Sequence, residues 1–408
     1  MTVLVLNCGS ATVKFQVIDG AERRRARGRI ERIGSDAAAV TLAAEGRPDV
    51  RTTEPIGDHE AAVRRVVDWI TGTAPAGSAG AGAGVDAVGH RVVHGGARFV
   101  EPVLIDGAVI AGIEELEDLA PLHNRPSLAG IRAARAVLGG AVPMVAVFDT
   151  AFHAALPERA RRYAIPWELA ERHGIRRFGF HGTSYRYVTE RYARLAGVPP
   201  GRGTIVALHL GNGASAAAIR DGASIDTSMG FTPLEGLVMG TRAGDLDASI
   251  VGYLARKEGV AAADVERWLN ERSGLLGVSG RSADMRDLLE REATDARARL
   301  AVELFCYRAR KYVGAYLAAL GGADALVFTG GIGERAPAVR ARICAGLEWC
   351  GLVLDPARNA AAVDGDARIG ADRARVQAYV IPTDEELLIA RDTIACLGRA
   401  AGVTDARG

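Results

Sequence analysis

The sequence predicts an α/β protein made of two related domains, and three observations carry that prediction. VLVLNCGSATVKFQVIDG (3–20) runs from an apolar strand through Asn-Cys-Gly-Ser into a second strand beginning near Val13. TIVALHLGNGASAAAIRDG (204–222) repeats the layout: Gly211 lies 202 positions after Gly9, and Asp221 the same distance after Asp19. Further apolar runs then alternate with helical periodicities, as layered strands and helices do. At 408 residues the chain has room for two cores.

Taken in order, HEAAVRRVVDWI (59–70) places Val63, Val66, Val67 and Ile70 at i, i+3, i+4 and i+7, one face of a helix. TGTAPAGSAGAGAG (71–84) is of low complexity and reads as a surface loop. MVAVFD (144–149), ALVFTG (325–330) and AYVIP (378–382) are short apolar runs of strand length. TDARARLAVELFCYRARKYVGAYLAAL (294–320) is a long amphipathic helix, and another starts near Asp384 with Leu387, Leu388 and Ile389. VTDARG, at the end, reads as a frayed tail.

Composition narrows the function. A net charge of +1 gives no global field toward nucleic acid or an anionic membrane, so any anion site is built locally. Cys8, Cys306, Cys344, Cys350 and Cys396 are odd in number and hold no CxxC pair, which speaks against a disulfide framework or zinc site and for a reducing cytosol. No apolar run reaches membrane-spanning length. MTVLVLN lacks the basic start and cleavage site of a signal peptide. The expectation is a soluble cytoplasmic protein.

The two glycine hairpins come first among the motifs. A turn of glycines and small hydroxyl residues exposes backbone N–H groups and makes an anion-binding nest. Ser10 and Lys14 add a hydroxyl and a charge; Asn212 and Gly213 do similar work in the second hairpin. Either hairpin alone reads first as an ordinary tight turn. Two of them favour a clamped phosphate. GxxxxGK[ST] is absent, and strands follow these turns, so neither is a P-loop. Gly331-Ile-Gly333-Glu-Arg-Ala336 after a strand matches a dinucleotide fingerprint, with Asp355 at ribose distance; the rival reading is a turn receiving adenosine, preferred because only some fifty residues remain for further βα units.

Arg91 in GHRVVHGG, His123 in APLHNRPSL, His181 in FGFHGTSY and Arg242 in GTRAGDLD are cations among glycine and apolar residues. Each alone could be a satisfied structural group. Together they suit an anionic reactant pair, because phosphoryl transfer needs charge compensation more than covalent help. The carboxylates are Asp149, closing a strand, Asp284 in RSADMRD and Glu385 in IPTDEELLIA; Asp384 and Glu386 read as a helix cap and a first-turn charge.

LVLNCGSATVKF, GHRVVHGG, LAPLHN, VFDTAFH, FGFHGTSYRYV, HLGNGAS, DTSMGFTPLEGLVMGTRAGDLD, FTGGIGE and VIPTDEELLIA follow one another from residue 3 to about 390, and in this order the sequence resembles the acetate kinase family. The resemblance implies two duplicated ribonuclease-H-like domains of the actin-like ATPase kind around a nucleotide cleft. Domain 1–150 would receive the helix 386–408, and 151–385 would bind adenosine and form a homodimer. The implied reaction is reversible transfer of the ATP γ-phosphoryl group to acetate, giving acetyl phosphate and ADP. Propionate or another short acid is the alternative acceptor.

Carried over position by position, Asn7 and Glu385 would bind or orient Mg²⁺, for which Mn²⁺ can substitute. Ser10, Thr12, Lys14, His209, Leu210, Gly211, Asn212 and Gly213 would lie along ATP. Asp284, Met285, Arg286, Gly330, Gly331, Ile332 and Gly333 would reach its adenosine side. Arg91 and Arg242 would hold acetate and the moving phosphoryl group, His181 and His123 would serve the transition state, and Asp149 would be the essential acid. Val93, Leu122, Phe180 and Pro233 would wall the acetate methyl. Ala11 and Arg335 depart from the usual Ser and Asn. Because acetate is already ionised at pH 7, the expected attack is direct and in line, with Asp149 positioning and no general base. A hydroxyl-directed kinase would need such a base. An ATP switch of the chaperone or actin type and an NAD-dependent dehydrogenase are the other classes weighed.

Overall fold

A computed structural model describes residues 1–72, 84–117 and 120–405, the side chains of 121, 122 and 401–405 excepted. Most of the glycine- and alanine-rich stretch read as a loop, 73–83, therefore lies outside the described residues, as do 406–408.

The chain opens with β1 (Thr2–Gly9), β2 (Thr12–Asp19), β3 (Arg24–Glu31), β4 (Ser35–Ala44), β5 (Val50–Ile56), α1 (His59–Thr71), β6 (Ala87–Val92), β7 (Val103–Leu104), α2 (Gly107–Glu114), α3 (Pro121–Leu138) and β8 (Met144–Phe148). Then come α4 (Glu158–Arg161), α5 (Trp167–His173), α6 (Gly182–Ala196), β9 (Thr204–Leu210), β10 (Ala214–Arg220), β11 (Ala223–Thr227), α7 (Ser249–Glu258), α8 (Ala262–Glu271), α9 (Gly274–Ser279), α10 (Met285–Arg291) and α11 (Ala296–Leu320). The last stretch holds β12 (Ala325–Thr329), α12 (Gly330–Arg335), α13 (Pro337–Cys344), α14 (Pro356–Ala361), β13 (Ala367–Arg368), β14 (Gln377–Val380) and α15 (Glu385–Asp405). No described helix is long and apolar enough to cross a membrane.

Two compact units result: Met1–Ala151 with Asp384–Gly408, and Phe152–Thr383. The first holds a sheet in the order β5-β4-β3-β2-β1-β6-β8-β7, the second one in the order β11-β10-β9-β12-β14-β13. In both, an antiparallel hairpin is followed by two parallel neighbours: β1 pairs with β2 and β6, and β9 with β10 and β12. The 202-residue repeat is thus a repeat of sheet order. The GxGxxA turn follows β12 inside this mixed sheet, which is not the parallel sheet of a dinucleotide fold.

Strand alternation decides what each face of the first sheet meets. Leu4, Leu6 and Cys8 of β1 join a core with Val63, Val66 and Ile70 of α1 and Leu128 and Ile131 of α3. Val3 and Val5 pack instead with Ile389 and Ala390 of α15. Covered on both faces, β1 reads as an unbroken apolar run. Helix α1 buries the four residues of its predicted stripe, each worth about 1.5–3 kcal/mol. Asp58 caps it by accepting from Ala61 N at 2.8 Å, and Gly72, at φ 83°, ends it. In the second unit Tyr185, Val188 and Tyr192 of α6 cover Ile205, Ala207, Ala217 and Val327.

Two readings are corrected. The first hairpin turn is narrower than Asn-Cys-Gly-Ser, because the antiparallel ladder continues to Gly9 opposite Thr12 and leaves only Ser10 and Ala11 as the loop. Asn7 therefore sits in a strand, opposite Lys14. Of the tail, residues 403–405 continue α15, since no proline interrupts 385–405, while 406–408 lie outside the described residues.

Candidate active site

In the first unit the period of two that sends Val3 and Val5 toward α15 sends Asn7 the same way. On the neighbouring strand β6 the same face carries Gly89 and Arg91. A Cβ at Gly89 would stand 2.5 Å from Thr393 Oγ1 and 2.7 Å from Ile389 Cγ2, so glycine is what lets α15 settle on the sheet. Its first residue, Glu385, then reaches Arg91, with Oε2 3.4 Å from Nε. Asp384 caps the helix, accepting from Leu387 N at 3.1 Å.

Arg91 is the hub. It donates from Nε to Asp149 Oδ1 at 3.2 Å, from Nη2 to Asp149 Oδ2 at 2.5 Å and from Nη1 to Asn7 Oδ1 at 3.3 Å. Asp149 is fully buried and follows β8, its N–H held by Val92 O at 3.0 Å. Burial opposes the charge on Arg91, but Asp149 and then Glu385 outweigh it, and the guanidinium is held well above its ordinary range. Glu386 lies in the first turn of α15, as its sequence position suggests, and burial, then the neighbouring Glu385, push its carboxyl up. Two carboxylates around one cation leave this cluster with a negative balance and oxygen donors.

The other first-unit candidates surround that hub unevenly. Lys14 is exposed and is Asn7's cross-strand neighbour. Ser10 is exposed in the hairpin loop, and Thr12 Oγ1 folds back so closely that a Cβ on Gly9 would meet it at 2.7 Å. His59 bonds Gly9 O at 2.8 Å, a support for this loop that carried no sequence signal. Ala11, at the departing position, fixes the loop through its carbonyl, which accepts from Ile33 N at 3.1 Å. His123 stands in the first turn of α3, and Val93 directly follows β6; the Leu122 side chain lies outside the described residues.

In the second unit the candidates converge on Gly213. A Cβ there would lie 3.5 Å from His181 Nε2 and 3.7 Å from Arg242 Nη1. His181 caps α6 in the left-handed region, φ 57°, its Nδ1 2.8 Å from Ser215 Oγ. Tyr185 OH lies 2.5 Å from the same hydroxyl. The His181 ring stacks on His209 at 4.1 Å, and His209 Nδ1 meets Ser184 Oγ at 2.9 Å. Ser184, Tyr185 and Ser215 were missed as orienting groups, although FGFHGTSYRYV and HLGNGAS contain them. Arg242 is part-buried and donates to Pro233 O at 3.0 Å; it has no carboxylate partner among the described residues. Burial accordingly pushes its pKa down. Gly211 N donates to Gly213 O at 3.0 Å and Gly240 N to Asn212 O at 2.9 Å, which tighten the second hairpin loop after Leu210.

The Gly330–Ile332 turn sits at the end of β12. Gly330, at φ +75°, comes so close to Leu210 O that a Cβ would be 2.8 Å away, while Gly331 faces open space and Gly333 is buried. Glu334, also unassigned from sequence, ties the turn down: its Oε1 accepts from Gly330 N at 3.0 Å and from Thr383 N at 3.3 Å. Arg335, the second departure, is exposed and lines a hollow of about 120 Å³ with Asp364. Asp284 caps α10, accepting from Arg286 N at 2.9 Å, and pairs with the Arg286 guanidinium at 2.7 Å, which lowers its pKa; Met285 beside it is buried.

A repeated hairpin-first sheet, glycine turns at strand ends and a desolvated arginine with no carboxylate among the described residues define a phosphotransferase of the actin-like ATPase fold. Comparison with known proteins agrees. The model of the Acetokinase family matches residues 2–391. The chain is 53% identical to the acetate kinase of Solibacter usitatus, over 97% of this chain and 98% of that one. It superposes with a TM-score of 0.89 on the crystal structure of Porphyromonas gingivalis acetate kinase, 41% identical over 97% and 99% of the two chains. A propionate kinase from Francisella tularensis gives a TM-score of 0.89 at 39% identity, over 97% and 99%. The chain belongs to the acetokinase family, kinases that transfer phosphate to a carboxylate.

Proposed function

We propose that the chain moves the γ-phosphoryl group of ATP onto acetate, reversibly and in line, with Mg²⁺ (or Mn²⁺) as the metal. The observation that carries this is the meeting of Arg242 and His181 at Gly213: Arg242 has no carboxylate partner among the described residues, and His181 Nε2 lies at the same glycine. A desolvated cation without a counterion calls for an anion, here the transferring phosphoryl group. Arg91, oriented by Asp149, keeps N–H donors for the acetate carboxylate. Asp149 acts through that arginine and takes no proton, since acetate arrives ionised. His123 assists at the transition state, and Val93, Leu122, Phe180 and Pro233 are assigned to the methyl.

Asn7 Oδ1 and the Glu385 carboxylate are hard oxygen donors in a set of negative balance, the chemistry Mg²⁺ takes; the metal would neutralise phosphate charge. Ser10, Thr12, Lys14, His209, Leu210, Gly211 and Asn212 are assigned to the nucleotide phosphates. Asp284, Met285, Arg286 and the turn Gly330–Gly333 are assigned to adenosine, giving the second unit the nucleoside side. A cytoplasmic homodimer through that unit is part of the reading. Its support is Leu300, Leu304 and Tyr307, exposed at i, i+4 and i+7 on α11.

The test is ATP, Mg²⁺ and a panel of short acids, with acyl phosphate trapped by hydroxylamine. Acetate should give the highest kcat/KM; trapping with none of the acids would sink the reading. Propionate is a second reading, favoured by the likeness to the Francisella tularensis propionate kinase. One methylene in an apolar pocket is worth about 1–3 kcal/mol, so measurable cross-activity is expected.

A further inference from the structure

The VFDTAFH segment supplies Asp149 to the site, but it also ends in His153, which no step above uses. His153 is fully buried at the end of a short turn, Ala151–His153. Its Nε2 lies 3.1 Å from Phe180 O, and its Nδ1 2.7 Å from Ser224 Oγ. A carbonyl only accepts, so Nε2 carries the proton; Nδ1 then accepts from the Ser224 hydroxyl. Both hydrogen-bonding positions of a neutral imidazole are filled, with the tautomer fixed. Burial pushes the ring's pKa down to about 4, which keeps it neutral near pH 7.

The carbonyl it holds lies in an unusual stretch of backbone. Gly179 has φ +74° and His181 φ 57°, so two left-handed residues flank Phe180. Left-handed backbone at a non-glycine residue costs free energy and persists only where surroundings hold it. At Gly179 there is no room for a side chain: a Cβ would stand 2.6 Å from His153 Cδ2 and 2.5 Å from Thr227 Cγ2. The imidazole is therefore wedged against the bend, edge-on to Tyr185 at 5.8 Å, and Tyr185 in turn reaches the Ser215 hydroxyl that contacts His181.

We propose that His153 is a positioning residue for the transfer reaction: with Ser224 setting its tautomer, its Nε2–H holds the Phe180 carbonyl and so fixes both the Phe180 ring and the His181 imidazole. This rests on the roles given above to Phe180 and His181.

The test compares His153→Leu, His153→Gln and Ser224→Ala with Phe180→Ala as a reference, after near-UV circular dichroism has checked folding. In H153L the expected loss of kcat/KM for acetate is about tenfold to a hundredfold. The KM for ATP should stay within about twofold, and the acetate-to-propionate ratio should change. H153Q, whose amide restores a donor toward Phe180 O, should recover most of the loss. A structural role alone would lower Tm and leave the acid ratio and the Gln rescue unmoved; that pattern overturns the proposal. Should H153L not fold, S224A retains the ring but frees its tautomer. It should lose about threefold to tenfold in kcat/KM for acetate, and wild-type values there would refute the role. A ¹⁵N spectrum of the wild-type protein showing His153 protonated on Nδ1 would do the same. If F180A raises the acetate KM while H153L and S224A leave it alone, the positioning role falls and the site reading stands. If F180A also leaves it alone, the reading of Phe180 fails and takes this inference with it.

Discussion

Arg91 and Arg242 are both desolvated arginines near the ends of strands, and they are treated oppositely. Arg91 is surrounded: Asp149 grips it with two oxygens, Glu385 and Asn7 flank it. Among the described residues Arg242 has only the Pro233 carbonyl and the Met239 sulfur. The difference separates orientation from attraction. A cation already neutralised by the protein can aim its spare N–H groups at a weakly binding monoanion without trapping it. On the proposed reading, a cation left unneutralised keeps its field for the more highly charged phosphoryl group, where preorganised charge lowers the barrier most.

The largest effect expected from this contrast is at Arg91. R91A takes the two-oxygen arginine partner away from a buried carboxylate, so it should lose about 3–5 kcal/mol of stability, a drop in Tm on the order of 10 °C, together with acetate turnover. Calorimetry and the hydroxylamine assay measure the two. Pairing it with Asp149→Leu should restore Tm and not turnover. Normal acetate turnover in R91A would break the comparison at its first term.

R242A comes next, with a kcat loss of about 10²–10³ but a Tm equal to or above wild type, since no charged partner among the described residues is orphaned. A fall in Tm comparable with that of R91A would mean that the two arginines are not different in kind. Gly213→Ala sharpens the same point. Its added Cβ makes only ordinary contacts with His181 and Arg242, so folding should be unchanged while kcat/KM for ATP falls about tenfold. Steady-state kinetics with ATP varied decides it.

The smallest effect is at Glu386. Its carboxyl is pushed up by burial first, from an ordinary value of 4.5. The unfolded chain therefore ionises before the native one, and the group costs native stability as pH rises above that value. Glu386→Gln should raise Tm by about 1–3 °C at pH 7 and not at pH 4. An equal gain at both would remove the carboxylate crowding from the account of the Arg91 cluster.

Much of this was legible because it is periodic or local. The stripe of α1, the cap at Asp384 and the two hairpins each depend on residues a few positions apart. The duplication was visible through Gly9 and Gly211, and the matching sheet orders explain why spacing survived where identity did not. The pairing of Arg91 with Asp149 was not legible, because those residues lie 58 positions apart and meet only across the parallel register of β6 and β8. The extent of β1 was misread since Asn7 and Gly9 are poor strand formers by composition, held in the ladder by Lys14 and Thr12 opposite. Ser215 and His153 lay inside quoted motifs, but a hydroxyl or imidazole that orients another side chain looks in sequence like any other polar residue.

Helix α15 comes from the far end of the chain yet lies on β1 and β6 across Gly89. During synthesis on the ribosome, Asn7, Arg91 and Asp149 are made hundreds of residues before Glu385 exists. A nascent chain can therefore finish its second sheet while its first still shows Val3, Val5 and Val147 uncovered. Until α15 has been made, those valines form an uncovered apolar face, the kind of surface on which other chains can settle.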